Sequence, residues 1–213
     1  MKIVEYLGSI KDEDRRGAIE SAVNAALECI EWELRYLPAD QQKLNFSILD
    51  DESIQAEGSE SYRLIQFSTG LIEHFERARF PEIEKFIPEA SWVLGAKLVL
   101  SVGVAWCLSH EFAHIYRKHD SVHHAIPAAV EKDGSPDIST DPALRLSGAA
   151  LNKAFEHDAE LCATAKIYRF LQRRFSPAID DITVRKMALF YLYWGVRTLP
   201  EYTHSDSKLP SAS

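Results

Sequence analysis

Cysteine is scarce in this 213-residue chain. The three present, Cys29, Cys107 and Cys162, are widely spaced, with no CxxC pair among them. That excludes a disulfide framework and a cysteine-based zinc knuckle. An excess of positive charge is also missing. Lys and Arg number 24 against 32 Asp and Glu, a formal net charge of −8. Such a balance grips phosphate backbones and anionic membrane surfaces poorly, so no nucleic-acid partner is expected. Glycine and proline number nine each, too few for a collagen-like or low-complexity chain, and no internal repeat is present. The start, Met1-Lys2-Ile3-Val4-Glu5-Tyr6, lacks a sustained apolar core and a small-residue cleavage site. No secretory signal is expected, and the cytoplasm is the default compartment.

Long hydrophobic runs are nearly absent too. The exception is Ser91 to Leu108, with Lys97 as its single charge. Its length raises a transmembrane reading. It runs straight into Ser109-His110-Glu111 with no basic flank, so a buried helix through the centre of a domain is the better expectation and a membrane partner is disfavoured.

The chain is 46 % apolar and 26 % charged, enough for one globular core. Residues 1–200 are expected to form a single domain, with 201–213 a polar C-terminal tail. Ile19, Val23, Ala26, Leu27, Ile30 and Leu34 fall at helical spacing within 17–37, a helix ended before Pro38. Leu44 to Leu49 alternates like a strand, and Tyr62 to Phe67 is a second strand candidate. Thr69-Gly70 should break it, with a helix from Leu71 to Arg79. A long helix over about 91–118 comes next, then a loop over 119–142. Helices follow over about 143–174 and 180–198. The fold class is therefore mainly α with a small β-sheet, an α+β arrangement. In the last helix Leu189, Tyr191, Leu192 and Trp194 read as core, with a homodimer face as the lesser alternative.

The chemistry-bearing motif is His110-Glu111-Phe112-Ala113-His114, an HExxH. Residues four apart share a helix face, so His110 and His114 can reach one metal ion. Glu111 can then take a proton from a water activated by that ion. The motif lies in an apolar helix, where two unpaired imidazoles and a carboxylate are costly to bury, and a metal removes that cost. Zinc suits imidazole and carboxylate ligands and leaves a position for water. A third ligand is needed, and Glu156 is its expected source. Glu160, four residues later on the same face, could hold the free ring N–H of a ligand histidine. His157 is an alternative to Glu156. His119, five residues after His114, is about 500° further round a continuing helix and should point elsewhere. Asp120 is where an extended metzincin motif has its third ligand, but Arg117 stands where that motif needs glycine.

Glu156-His157-Asp158-Ala159-Glu160, taken with the HExxH, resembles the gluzincin pattern of HExxH followed by Glu-x-x-x-Asp. The alanine before the last acid is similar to the block in heat-shock and CAAX-processing metallopeptidases. The small phage-exclusion (Lit-type) peptidases are another HExxH group of similar flavour. Phe67 to Ile72 also resembles the strand end that precedes the active-site helix in these families. The chain departs from the pattern at Glu160, where the family has Asp, and the matching blocks cover about thirty residues. The resemblance implies a zincin-like fold whose active-site helix crosses the domain centre, and zinc-dependent hydrolysis of peptide bonds. It implies one Zn2+ per chain on His110, His114 and Glu156, Glu111 as general base, and a protein or peptide as substrate. Similar peptidases carry a late histidine in a Thr-His-Pro context that stabilises the oxyanion. Thr203-His204-Ser205 offers His204 for that role, with Tyr202 beside it. The strand from Tyr62 to Ser68 is expected to run beside an extended substrate and pair with its backbone. The rival expectation is a metal-stabilised binding or regulatory module without catalysis.

Overall fold

The computed structural model of the chain describes residues 1–78, 96–125, 148–197 and 199. The tail, with Tyr202 and His204, lies outside the described residues. The elements are α1 (Ile3–Ser9), α2 (Glu13–Tyr36), β1 (Asn45–Leu49), β2 (Ala56–Ser59), β3 (Leu64–Ser68), α3 (Thr69–Arg77), α4 (Ala96–Arg117), α5 (His119–Ala125), α6 (Gly148–Phe175) and α7 (Asp181–Arg197). The fold is α+β, mostly helical with a small mixed sheet.

Local chemistry explains several boundaries. The Asp12 side chain accepts the Arg15 N–H at 3.0 Å and starts α2, which Leu37 and Pro38 then stop. Ser68 does the same for α3, accepting from Leu71 N–H at 3.1 Å. Thr69 and Gly70 therefore form the first turn of α3. They do not break the chain, because the Ser68 cap satisfies an N–H that would otherwise favour a loop. Gly70 is required by space: a Cβ there would stand 2.2 Å from the Glu52 carbonyl oxygen. Leu71, Ile72 and Phe75 then bury the inner face of α3, each side chain contributing about 1.5–3 kcal/mol.

Helix α4 is buried on nearly every side, as a helix apolar all round must be. It packs most extensively on α2 and α6, with α3, α7 and the sheet completing its surroundings. Among the described residues, Lys97–Arg117 is the one helix long and apolar enough to cross a membrane, and 72 % of its most apolar window is buried inside the fold.

The sheet order is β1-β3-β2, with β1 parallel and β2 antiparallel to β3. This corrects the expected role of the strand from Tyr62 to Ser68. β3 is hydrogen-bonded on both sides and has no edge for a substrate. β1 is covered as well, since Ile48 N–H donates to Met1 O at 2.9 Å and the Met1 ammonium donates to Ile48 O at 3.0 Å. The open edge among the described residues is that of β2, a strand whose polar sequence Ala56-Glu57-Gly58-Ser59 carries no apolar alternation.

Two further expectations change. Residues 119–125 are helical, not loop. Leu189 is 68 % exposed, whereas Tyr191 and Leu192 are buried. Positions 189 and 191 lie about 200° apart on a helix, so one face cannot bury both.

Candidate metal centre

His110 and His114 project from successive turns of α4, and Glu156 reaches them from α6. The three atoms that meet are His110 Nε2, His114 Nε2 and Glu156 Oε2. His110 Nε2 and His114 Nε2 are 3.1 Å apart. Glu156 Oε2 is 3.2 Å from the first and 3.6 Å from the second. Zinc bonds of about 2.0–2.2 Å in a tetrahedron place ligand atoms about 3.3–3.5 Å from one another. The donor set and its spacing therefore fit a divalent cation, and among the described residues this is the group of three donors that can hold one. His110 Nδ1 is buried and has no hydrogen-bond partner among the described residues, so that ring's bonding is directed through Nε2 into the cluster. Trp106, one turn earlier, stacks on the His110 ring at 5.1 Å and fixes its plane.

Electrostatics reinforce the cluster. The His110 ring, and then the His114 ring, beside it hold the Glu156 carboxyl far below the usual carboxylate range. Burial disfavours charge on His114, but the neighbouring Glu156 carboxylate outweighs it, so the ring's pKa is raised.

Glu111 lies beside the cluster. Burial raises its carboxyl above the ordinary range, against the pull of His110 and His114. The backbone of Gly58 in β2 runs against it and opposes the effect of burial. Gly58 permits this close approach: a Cβ there would sit 2.9 Å from Glu111 Oε2 and 3.1 Å from the Glu111 carbonyl oxygen. A small recess of about 40 Å³ adjoins Glu111 and His110, walled by Ile54, Ala56, Leu71 and Trp106.

The other candidates are placed as follows. His157 is exposed, with its ring 3.5 Å from Glu160 of the same helix. Asp120 is exposed and outside the donor group. Cys107 is buried beside the recess and Cys162 half-buried, neither among the donors. Cys29 is buried on α2, which pushes its thiol up to about 12.

His119 overturns the expectation that it points away. Lys118 adopts a left-handed conformation, φ 58°, which ends α4 and turns the chain back. His119 Nδ1 then lies 3.0 Å from His114 Nδ1. The ring is buried and stacks on Phe155 at 4.6 Å. Its Nε2 is 3.2 Å from Asp158 Oδ2. The position expected of Glu160 beside a ligand ring is thus occupied by His119 where His114 is concerned. Gly58 and His119 were both missed from the sequence. A glycine inside a short polar strand was the signal available for the first; the second had none.

No family model matches this sequence, and neither a curated protein nor a solved structure matches the chain.

Proposed function

We propose that this chain is a zinc-dependent metallopeptidase of gluzincin type that hydrolyses peptide bonds in a protein or peptide. The observation that carries the reading is the spacing of His110 Nε2, His114 Nε2 and Glu156 Oε2, with the Glu111 carboxylate next to them. Zinc suits two imidazoles and one carboxylate with a position left for solvent. When bound, zinc supplies a water of lowered pKa and polarisation of the scissile carbonyl.

The chain's own residues do the rest. Glu111 has a carboxyl raised by burial, which makes it a stronger base than an exposed glutamate. It takes the proton of the attacking water and delivers it to the leaving amine nitrogen. The β2 backbone at Gly58 packs against the carboxylate and limits its movement during both transfers. The outer edge of β2 offers backbone groups to an extended peptide, a strand-addition mode of binding. The recess has Ile54, Ala56, Leu71 and Trp106 on its apolar side and Glu111 and His110 on its polar side, and takes a small side chain of that peptide.

Glu111→Gln tests the reading. Zinc content should stay near one per chain, while hydrolysis of an unfolded protein substrate falls by about 10²–10⁴-fold. If the zinc-loaded wild type cleaves neither a peptide library nor unfolded proteins, a metal-stabilised module without catalysis replaces the peptidase.

A further inference from the structure

We propose that His119, held by Asp158, is a positioning residue that sets the tautomer of His114 and leaves the Nε2 lone pair of that ring bare for the ion. The inference rests on the metal-centre reading above and adds a residue to it from outside the HExxH and Glu156 blocks. The argument begins at Asp158. Its Oδ1 accepts from Arg117 Nη1 at 2.7 Å, and its Oδ2 faces His119 Nε2 at 3.2 Å. A carboxylate oxygen only accepts, so the proton of the neutral His119 ring sits on Nε2. His119 Nδ1 is then a lone pair. It lies 3.0 Å from His114 Nδ1 and can only accept there. The proton of His114 is therefore on Nδ1, and its Nε2 points unprotonated at His110 Nε2 and Glu156 Oε2. The opposite order would put an N–H into the centre and block a cation.

Several contacts keep this order from relaxing. Arg117 closes α4, His119 opens α5, and Asp158 and Phe155 both belong to α6, so three helices meet at one ring. Ser121 N–H donates to Glu60 Oε2 at 3.1 Å, and the Ser121 hydroxyl donates to the other oxygen. That ties α5 to the turn between β2 and β3. The result is an asymmetric centre. His114 is oriented through its second nitrogen, whereas His110 has no such partner among the described residues.

The test uses the full chain and has two arms. In the metal-free protein at about pH 8.5, two units above the ordinary histidine value, two-dimensional 1H–15N correlation reads each ring's tautomer. The expected pattern is a proton on Nδ1 of His114 and on Nε2 of His119. A His114 proton on Nε2 overturns the proposal. In the second arm, zinc affinity is measured by competition with a chelator. His119→Phe keeps the ring over Phe155 but has no nitrogens, and should weaken zinc binding about 10–100-fold. His119→Gln offers an amide oxygen to His114 and an NH2 to Asp158, and should recover at least about tenfold of that loss. A folded His119→Phe that binds zinc as tightly as wild type overturns the proposal. Failure of the underlying metal reading shows separately, as a wild-type chain that takes up no zinc; the tautomer pattern then still decides the relay.

Discussion

On the peptidase reading proposed above, Gly58→Ala should separate catalysis from metal binding with one methyl group. The new Cβ would stand 2.9 Å from Glu111 Oε2, 3.1 Å from the Glu111 carbonyl oxygen and 3.3 Å from its Cβ. The carbonyl belongs to the rigid α4 ladder, so the carboxylate must move. Relief of the contact requires a shift of about 0.3–0.5 Å, and misplacement by 1 Å of a reacting group costs about a hundredfold. The expected loss in kcat is therefore about tenfold, or ~1.4 kcal/mol of transition-state stabilisation. The net stability change is a loss of at most about 2.5 kcal/mol. Overpacking costs about 1–3 kcal/mol, partly offset by about 0.4–1 kcal/mol from the stiffer unfolded chain. The three candidate metal donors lie on other side chains, so zinc uptake should be unchanged. The assay is steady-state hydrolysis of a peptide alongside zinc analysis and thermal unfolding of the same samples. Wild-type kcat with zinc retained would refute the claim that β2 positions Glu111. Loss of zinc in step with activity would refute it as well.

Four other perturbations have signs that follow from the structure. Burial raises the folded pKa of Glu111, so its contribution to stability is complete below the ordinary glutamate value of 4.5 and is lost as pH rises through the folded pKa. Metal-free Glu111→Gln should then be more stable than wild type at neutral pH, the two converging below pH 4.5 in denaturant titrations; a gap constant with pH counts against burial as the cause. Glu156 has the opposite sign: its folded pKa is lowered by His110 and His114, so its stabilisation is present above 4.5 and fades on acidification. Because its side chain is 58 % exposed, metal-free Glu156→Gln should lose no more than ~1 kcal/mol at neutral pH, and zinc uptake should fall sharply. Lys118→Gly removes a left-handed non-glycine residue and should stabilise the fold by about 0.5–1 kcal/mol without loss of zinc, measured by thermal unfolding. Gly103→Ala drives a Cβ to 2.4 Å from the buried Phe75 ring and should destabilise by about 1–3 kcal/mol, read from the denaturant midpoint.

Much of this arrangement was legible along the chain, and the division follows sequence distance. His110 and His114 share a face because an α-helix repeats every 3.6 residues, a local property visible in the spacing. The burial of α4 follows from its composition, and the helical spacing of apolar residues over 17–37 marks the helix found over 13–36; the helices expected over about 143–174 and 180–198 are found, among the described residues, over 148–175 and 181–197. Glu156 was picked out by its place in a downstream acidic block, and the structure brings its carboxylate to both rings.

Three decisions needed the folded chain. β2 has no apolar pattern of its own; it exists because β3 supplies its hydrogen bonds, and its glycine matters because α4 passes against it. β3 reads like a strand that could serve at an edge, yet strand order, a contest among distant backbone groups, placed it in the middle. His119 meets His114 only because Lys118 leaves the right-handed helix region, a conformation its side chain does not advertise. Periodicity records the neighbours a residue has within a few turns. Which segment lies across from it is chosen by packing and hydrogen bonding over the whole molecule, and no short stretch of residues encodes that choice.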